Sequence, residues 1–133
     1  MWHIHAMAGT VTFFLAEQYL RAQINGSPTL EEFLALLREA GQHSANCARD
    51  LVLLDLQSVG RVYSFTEQFA LGVEVARSMS HLRKLASIVP PERITRVSEK
   101  AAVHSGANVR VFASEAEAMQ WLLAPAPTEE GSP

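Results

Sequence analysis

Cysteine is almost missing from this chain: Cys47 is the only one in 133 residues. A disulfide framework and a thiolate metal cluster are therefore excluded. An excess of basic charge is missing too. With 11 Lys and Arg against 14 Asp and Glu, the formal net charge is −3. That gives no ground for a dedicated nucleic-acid binder, whose domain is normally strongly basic. No apolar run approaches the ~20 residues of a membrane helix. The N-terminus lacks the charged region and long apolar stretch of a secretory signal. Gly-x-Ser-x-Gly elbows, Gly-x-x-x-x-Gly-Lys loops and Cys–His pairs of recognisable spacing are all absent. The expectation is a cytoplasmic, non-enzymatic protein with no cofactor, no metal and no membrane span. Its 48% apolar and 19% charged residues are ordinary for a globular domain, and the length allows one core without staples.

What is present is a repeated grammar of capped helices. Thr29-Leu-Glu-Glu32, Ser64-Phe-Thr-Glu67 and Ser114-Glu-Ala-Glu117 each place a hydroxyl at a cap and Glu at the third helical position. The reciprocal bonds of such a box satisfy two orphan N–H groups. After the first box Leu30, Phe33, Leu34 and Leu37 fall on one face, and Gly41 offers a stop. The second helix, about residues 65–81, is apolar over most of its circumference, with Glu67, Glu74, Arg77, Ser78 and His81 as its wet stripe. The last helix carries Ala116, Met119, Leu122 and Leu123 and stops at Pro125.

Between the helices lie β-type runs at 51–56, 85–89 and 109–112. The first is continuous and apolar except for Asp55, as expected of a strand covered on both faces. Pro90-Pro91 ends the second run and seeds a helix whose inward face is Ile94, Val97 and Ala101. Strands alternating with helices at this spacing imply a parallel sheet. Runs at 2–7, 11–15 and 19–24 have short connections and read as an antiparallel ribbon, with Asn25-Gly26 as the turn into the first helix. The domain is assigned to residues 1–123. The Pro-rich acidic tail, 124–133, is expected to be disordered.

In a parallel sheet, strand C-termini and helix N-termini gather on one edge, where ligands of open α/β sheets bind. That edge collects Arg61, Tyr63, Ser64, Phe65, Arg93 and Ser114 as candidate binding residues. Ser64 has two readings. It is a helix cap completed by Glu67, or an anion or phosphorylation site favoured by the helix dipole. Arg77, Arg83, Lys84, Arg93, Arg96 and Lys100 form a basic cluster in sequence, either a solvated helix face or a docking face for an acidic partner. His3 and His5 share a strand face, but the first acid is Glu17, so no metal set is completed. His43, His81 and His104 fall at helix ends, where a cationic imidazole suits the dipole. Cys47 reads as a small half-buried residue, and Asp55 as a buried carboxylate with a hydrogen-bonded role. Trp2 and Trp121 read as packing residues.

The order and spacing of several strings resemble the STAS superfamily, in its STAS/SEC14-like branch related to bacterial anti-sigma factor antagonists. Arg21-Ala-Gln-Ile-Asn-Gly-Ser-Pro-Thr-Leu-Glu-Glu-Phe33 is similar to that family's second strand, glycine turn and first capped helix. Residues 51–56 are similar to its central strand, and 109–122 to its habitual finish. The resemblance spans about residues 11–123. It implies a SpoIIAA-like α/β domain with a mixed, mostly parallel sheet, N-terminal antiparallel strands and about four helices. It also implies a bacterial regulatory domain that binds a protein partner, with Ser64 at the position of the phosphorylated serine. The family's motif is an Asp-Ser pair followed by small residues, whereas here Tyr63-Ser64-Phe65 stands. The SEC14-like side implies an alternative, a carrier or sensor of a small apolar or lipid-like ligand. An enzyme using Ser64 or Asp55 is a third class, for which the sequence names no base. Two routes to a homodimer are open, through the N-terminal ribbon or an exposed sheet edge.

Overall fold

The computed structural model describes residues 2–6, as backbone, and 8–125. The expected disordered tail lies outside the described residues from 126 onward, and so do the side chains of Trp2, His3 and His5.

Among the described residues six strands form one sheet in sequential order: β1 (Trp2–Ala6), β2 (Gly9–Leu15), β3 (Leu20–Gly26), β4 (Leu51–Val59), β5 (Lys84–Ile88) and β6 (Val109–Phe112). The first three pair antiparallel, and β3 to β6 pair parallel, as the spacing predicts. Four α-helices connect or flank them: α1 (Leu30–Asn46), α2 (Phe65–Met79), α3 (Val97–His104) and α4 (Glu115–Leu123).

Alternation along the strands divides the core. Val52 and Leu54 of β4 and Leu85 of β5 join the large cluster beneath α1, α2 and α3. Leu51, Leu53, Ala86 and Ile88 point the other way and pack with Ala118 and Leu122 of α4. A strand covered on both faces reads as a near-continuous apolar run, which explains Leu51 to Leu54 in β4, with Asp55 held by Arg21.

The caps behave as their chemistry requires, with one difference. The Thr29–Glu32 and Ser64–Glu67 boxes are complete. At Ser114 the hydroxyl accepts from Glu117 N at 3.3 Å, and that is the half of the box that forms. Ser114 stands at φ −126° and ψ 130°, away from the φ −65° to −69° of the other two caps.

Gly41 does not end the first helix, which continues to Asn46 with Cys47 as its cap. Gly41 is instead buried where α1 crosses the end of α2. A Cβ there would stand 2.4 Å from the Ser78 carbonyl oxygen. Gly72 plays the same part between α2 and α3, where a Cβ would meet the Ser98 carbonyl oxygen at 2.3 Å. The helix expected after Pro90-Pro91 is also divided. Pro91–Arg93 form a single 3-10 turn, and Arg96, with φ 67°, turns the chain before α3 begins. Ala101 and Ala102 supply the buried face of α3, while Ile94 and Val97 are half-buried.

Candidate functional site

The edge where parallel strands end and helices begin opens into a pocket of about 500 Å3. Its floor is the sheet: Leu54 and Leu56 of β4, Leu85 and Ser87 of β5, Val109 and Val111 of β6. Leu71 and Val75 of α2 and Ala102 of α3 cover it. The space is open to solvent at this edge, a cleft and not a sealed interior void. It falls within the ~300–1,000 Å3 of small-molecule sites.

The rim is polar and ordered. The Tyr63 hydroxyl donates to the Pro28 carbonyl at 2.6 Å, tying the loop after β4 to the start of α1. Burial chiefly pushes the Tyr63 phenol up to about 12, with Arg61 opposing. The Arg61 guanidinium stands 5.5 Å from the centre of the Tyr63 ring and 3.7 Å from Glu67. Arg93 donates to the Val59 carbonyl, and Thr95 donates to Gln68. Gln68 Nε2 then donates to the Tyr63 carbonyl at 2.8 Å. Glu99 is taken on both oxygens, by Arg96 at 3.0 Å and by the Val111 N–H at 2.8 Å.

Beside the rim, α2 begins. Glu67 N donates to Ser64 Oγ at 3.2 Å, and Ser64 N donates to Glu67 Oε1 at 2.9 Å. The Ser64 backbone bond is the main cause holding the Glu67 carboxyl below its usual range, helped by Arg61. Around this cap Val62, Phe65 and Phe69 are 74%, 68% and 52% exposed. Phe65 and Phe69 stand one turn apart and share a helix face. The start of α2 therefore presents two neighbouring aromatic groups to water.

The structure thus brings together Arg61, Tyr63, Ser64, Phe65 and Arg93. Ser114 does not join them, because α4 packs on the opposite face of the sheet. The wet stripe expected on α2 is also redrawn. Glu74 is buried, held by Arg38 at 3.3 Å and by Ser78, while Phe65 and Phe69 take the water. The basic cluster dissolves in three dimensions. Lys84 is buried on the α4 side and donates to the Trp121 carbonyl at 2.7 Å. Arg83 pairs with Asp50, Arg77 approaches Glu74, and Arg96 pairs with Glu99. Nor is His43 a cationic end group. It stacks on Phe13 at 4.1 Å, and burial chiefly lowers its pKa, favouring the neutral ring.

Asp55 has the hydrogen-bonded role expected of it. It receives Arg21 at 2.5 Å and the Gln57 N–H at 3.0 Å, and Arg21 also holds Glu115 at 3.1 Å. This triad anchors α4 on the sheet, away from the pocket. Among the described residues no group of His, Cys, Asp and Glu is arranged to hold a metal ion, and no helix is long and apolar enough to cross a membrane.

Val62, Phe69 and Ser87 are further candidates that the structure adds at this edge. Phe69 was signalled by its i, i+4 relation to Phe65. Ser87 was signalled by alternation, since it shares the face of Leu85 and not that of Ala86 and Ile88.

Among solved structures, an anti-sigma factor antagonist from Mycobacterium paratuberculosis has the same fold. The TM-score is 0.63 at 11% identity, over 91% of this chain and 100% of that one. An uncharacterized protein with a SpoIIAA-like fold from Shewanella loihica gives 0.54 at 16% identity, over 92% and 96%. No family model matches the sequence, and no curated protein matches it. At these identities the likeness establishes the SpoIIAA-like fold.

Proposed function

We propose that this chain is a non-enzymatic regulatory domain that docks a protein partner on the loop after β4 and the first turns of α2. The observation that carries it is the exposure of Val62, Phe65 and Phe69 around the capped Ser64. Exposed aromatic groups on a rigid helix are the usual anchors of a protein contact. The likeness to an anti-sigma factor antagonist supports a bacterial regulatory setting, with the cytoplasm as its expected compartment. Phosphorylation of Ser64 would add close to two negative charges beside Glu67 and break the capping box, which makes it a means of release. Quantitative affinity capture with the wild type and with Phe65→Ala and Ser64→Glu is the test. A partner retained by the wild type and lost from both variants supports the proposal. Equal recovery from all three contradicts it.

A second function is favoured by a separate observation, the apolar pocket of about 500 Å3 between helices and sheet. It suits a carrier or sensor of a small apolar ligand. Native mass spectrometry of protein purified without detergent tests it, through a bound mass released on denaturation.

A further inference from the structure

Ser87 is 5% exposed and stands on the strand wall of the pocket among Leu54, Leu85 and Val111. Its hydroxyl has no hydrogen-bond partner among the described residues. Its oxygen is not sealed among apolar atoms but faces the open volume. Water that enters the pocket can solvate this hydroxyl, and a ligand oxygen that displaces the water would take over its hydrogen bond.

A second asymmetry lies at the mouth. Arg93 forms no ion pair among the described residues, and its guanidinium is held at the rim by the Val59 carbonyl. Arg61 stands over the Tyr63 ring and has a long 3.7 Å ion contact with Glu67. Both guanidinium groups act on Tyr63 and line the pocket. Glu99 at the same rim is already engaged by Arg96 and the Val111 N–H, while Glu92, also on the lining, is exposed to solvent. An apolar pocket with two guanidinium groups at its mouth is complementary to a molecule with one anionic end.

We propose that the pocket binds a linear anionic amphiphile, a medium-chain carboxylate with an oxygen part-way along its chain. The carboxylate lies between Arg61 and Arg93, the chain runs along Leu54, Leu85 and Val109, and the chain oxygen meets Ser87. This rests on the pocket being a ligand site and names the class of ligand it takes.

Calorimetric titration separates the two claims, using dodecanoate, 1-dodecanol and a hydroxydodecanoate with its hydroxyl near mid-chain. Dodecanoate is expected to bind about tenfold tighter than dodecanol, the worth of a charge-assisted hydrogen bond. Arg93→Gln and Arg61→Gln, both at the rim, should remove that preference. The hydroxy acid should bind tighter than dodecanoate in the wild type but not in Ser87→Ala. Equal affinity for dodecanoate and dodecanol overturns the anionic class while leaving an apolar ligand site intact. An unchanged hydroxy-acid preference in Ser87→Ala overturns the role of Ser87. If none of the three binds to folded wild-type protein, the ligand site itself is overturned.

Discussion

Ser64 and Glu67 hold each other's backbone, the serine hydroxyl accepting at 3.2 Å and the glutamate accepting at 2.9 Å. The box both starts α2 and fixes Phe65 at the surface beside the pocket mouth. Replacing Ser64 by Ala should destabilise the protein by about 1 kcal/mol, the usual worth of an N-cap, while Ser64→Asp should retain most of it. Urea denaturation of the three proteins checks this.

The same box has an acid signature. The folded Glu67 carboxyl titrates below its usual value of 4.5. Its contribution to stability is therefore fully present above that value and is lost as pH falls through the lower, folded one. Glu67→Gln should flatten the stability profile in that acid window and leave its shape at neutral pH unchanged. Denaturation midpoints followed from neutral pH into the acid range provide the measurement.

Tyr63 gives the opposite, alkaline signature. Burial raises its phenol from 10.0 to about 12. The neutral form is the one the fold favours. Stability from this group is whole below the unfolded value and declines as pH rises through the folded one. Ultraviolet titration should show one late-ionising tyrosine that is absent from Tyr63→Phe. The variant also leaves the Pro28 carbonyl without its donor, at a cost of roughly 1–3 kcal/mol.

Gly41 tests the helix crossing. In an exposed helix Gly→Ala gains up to about 1 kcal/mol. Here the new Cβ would meet a backbone oxygen at 2.4 Å. Overpacking costs roughly 1–3 kcal/mol, so Gly41→Ala should lower stability despite its propensity. Thermal melting decides the sign.

The features of Gly41 and Ser64 show what a sequence discloses and what it withholds. Caps are local: a hydroxyl and a glutamate three residues apart announce themselves, so the helix starts and the alternating order were legible. Gly41 was read as a stop because its partner, Ser78, lies 37 positions away and only the folded chain brings them together. Arg83 and Lys84 are adjacent in sequence, yet one pairs at the surface and the other is buried beneath α4. Glu74 looked like a solvent residue until α1 placed Arg38 against it. The pocket was the least legible feature. Its volume is what remains after side chains from three helices and three strands have failed to fill the space between them.

Asp55 and Arg21 supply a test of the opposite face. Their contact at 2.5 Å is well shielded on the aspartate side and also engages Glu115 at the start of α4. Breaking a buried pair by removing one member costs ~3–5 kcal/mol, because the remaining charge loses its partner. Asp55→Ala should fall toward the lower end, since Arg21 is partly solvated and keeps Glu115. Guanidinium denaturation measures it, and ligand titrations on the folded fraction should be unchanged.

The central claim is that a protein partner docks on the surface made by Val62, Phe65 and Phe69. Its most direct test is the dissociation constant of a purified complex, compared between the wild type and Phe65→Ala. The account predicts a loss of about thirtyfold or more, as expected for an aromatic anchor worth at least ~2 kcal/mol. An affinity unchanged by Phe65→Ala, in a complex that forms normally, would contradict it.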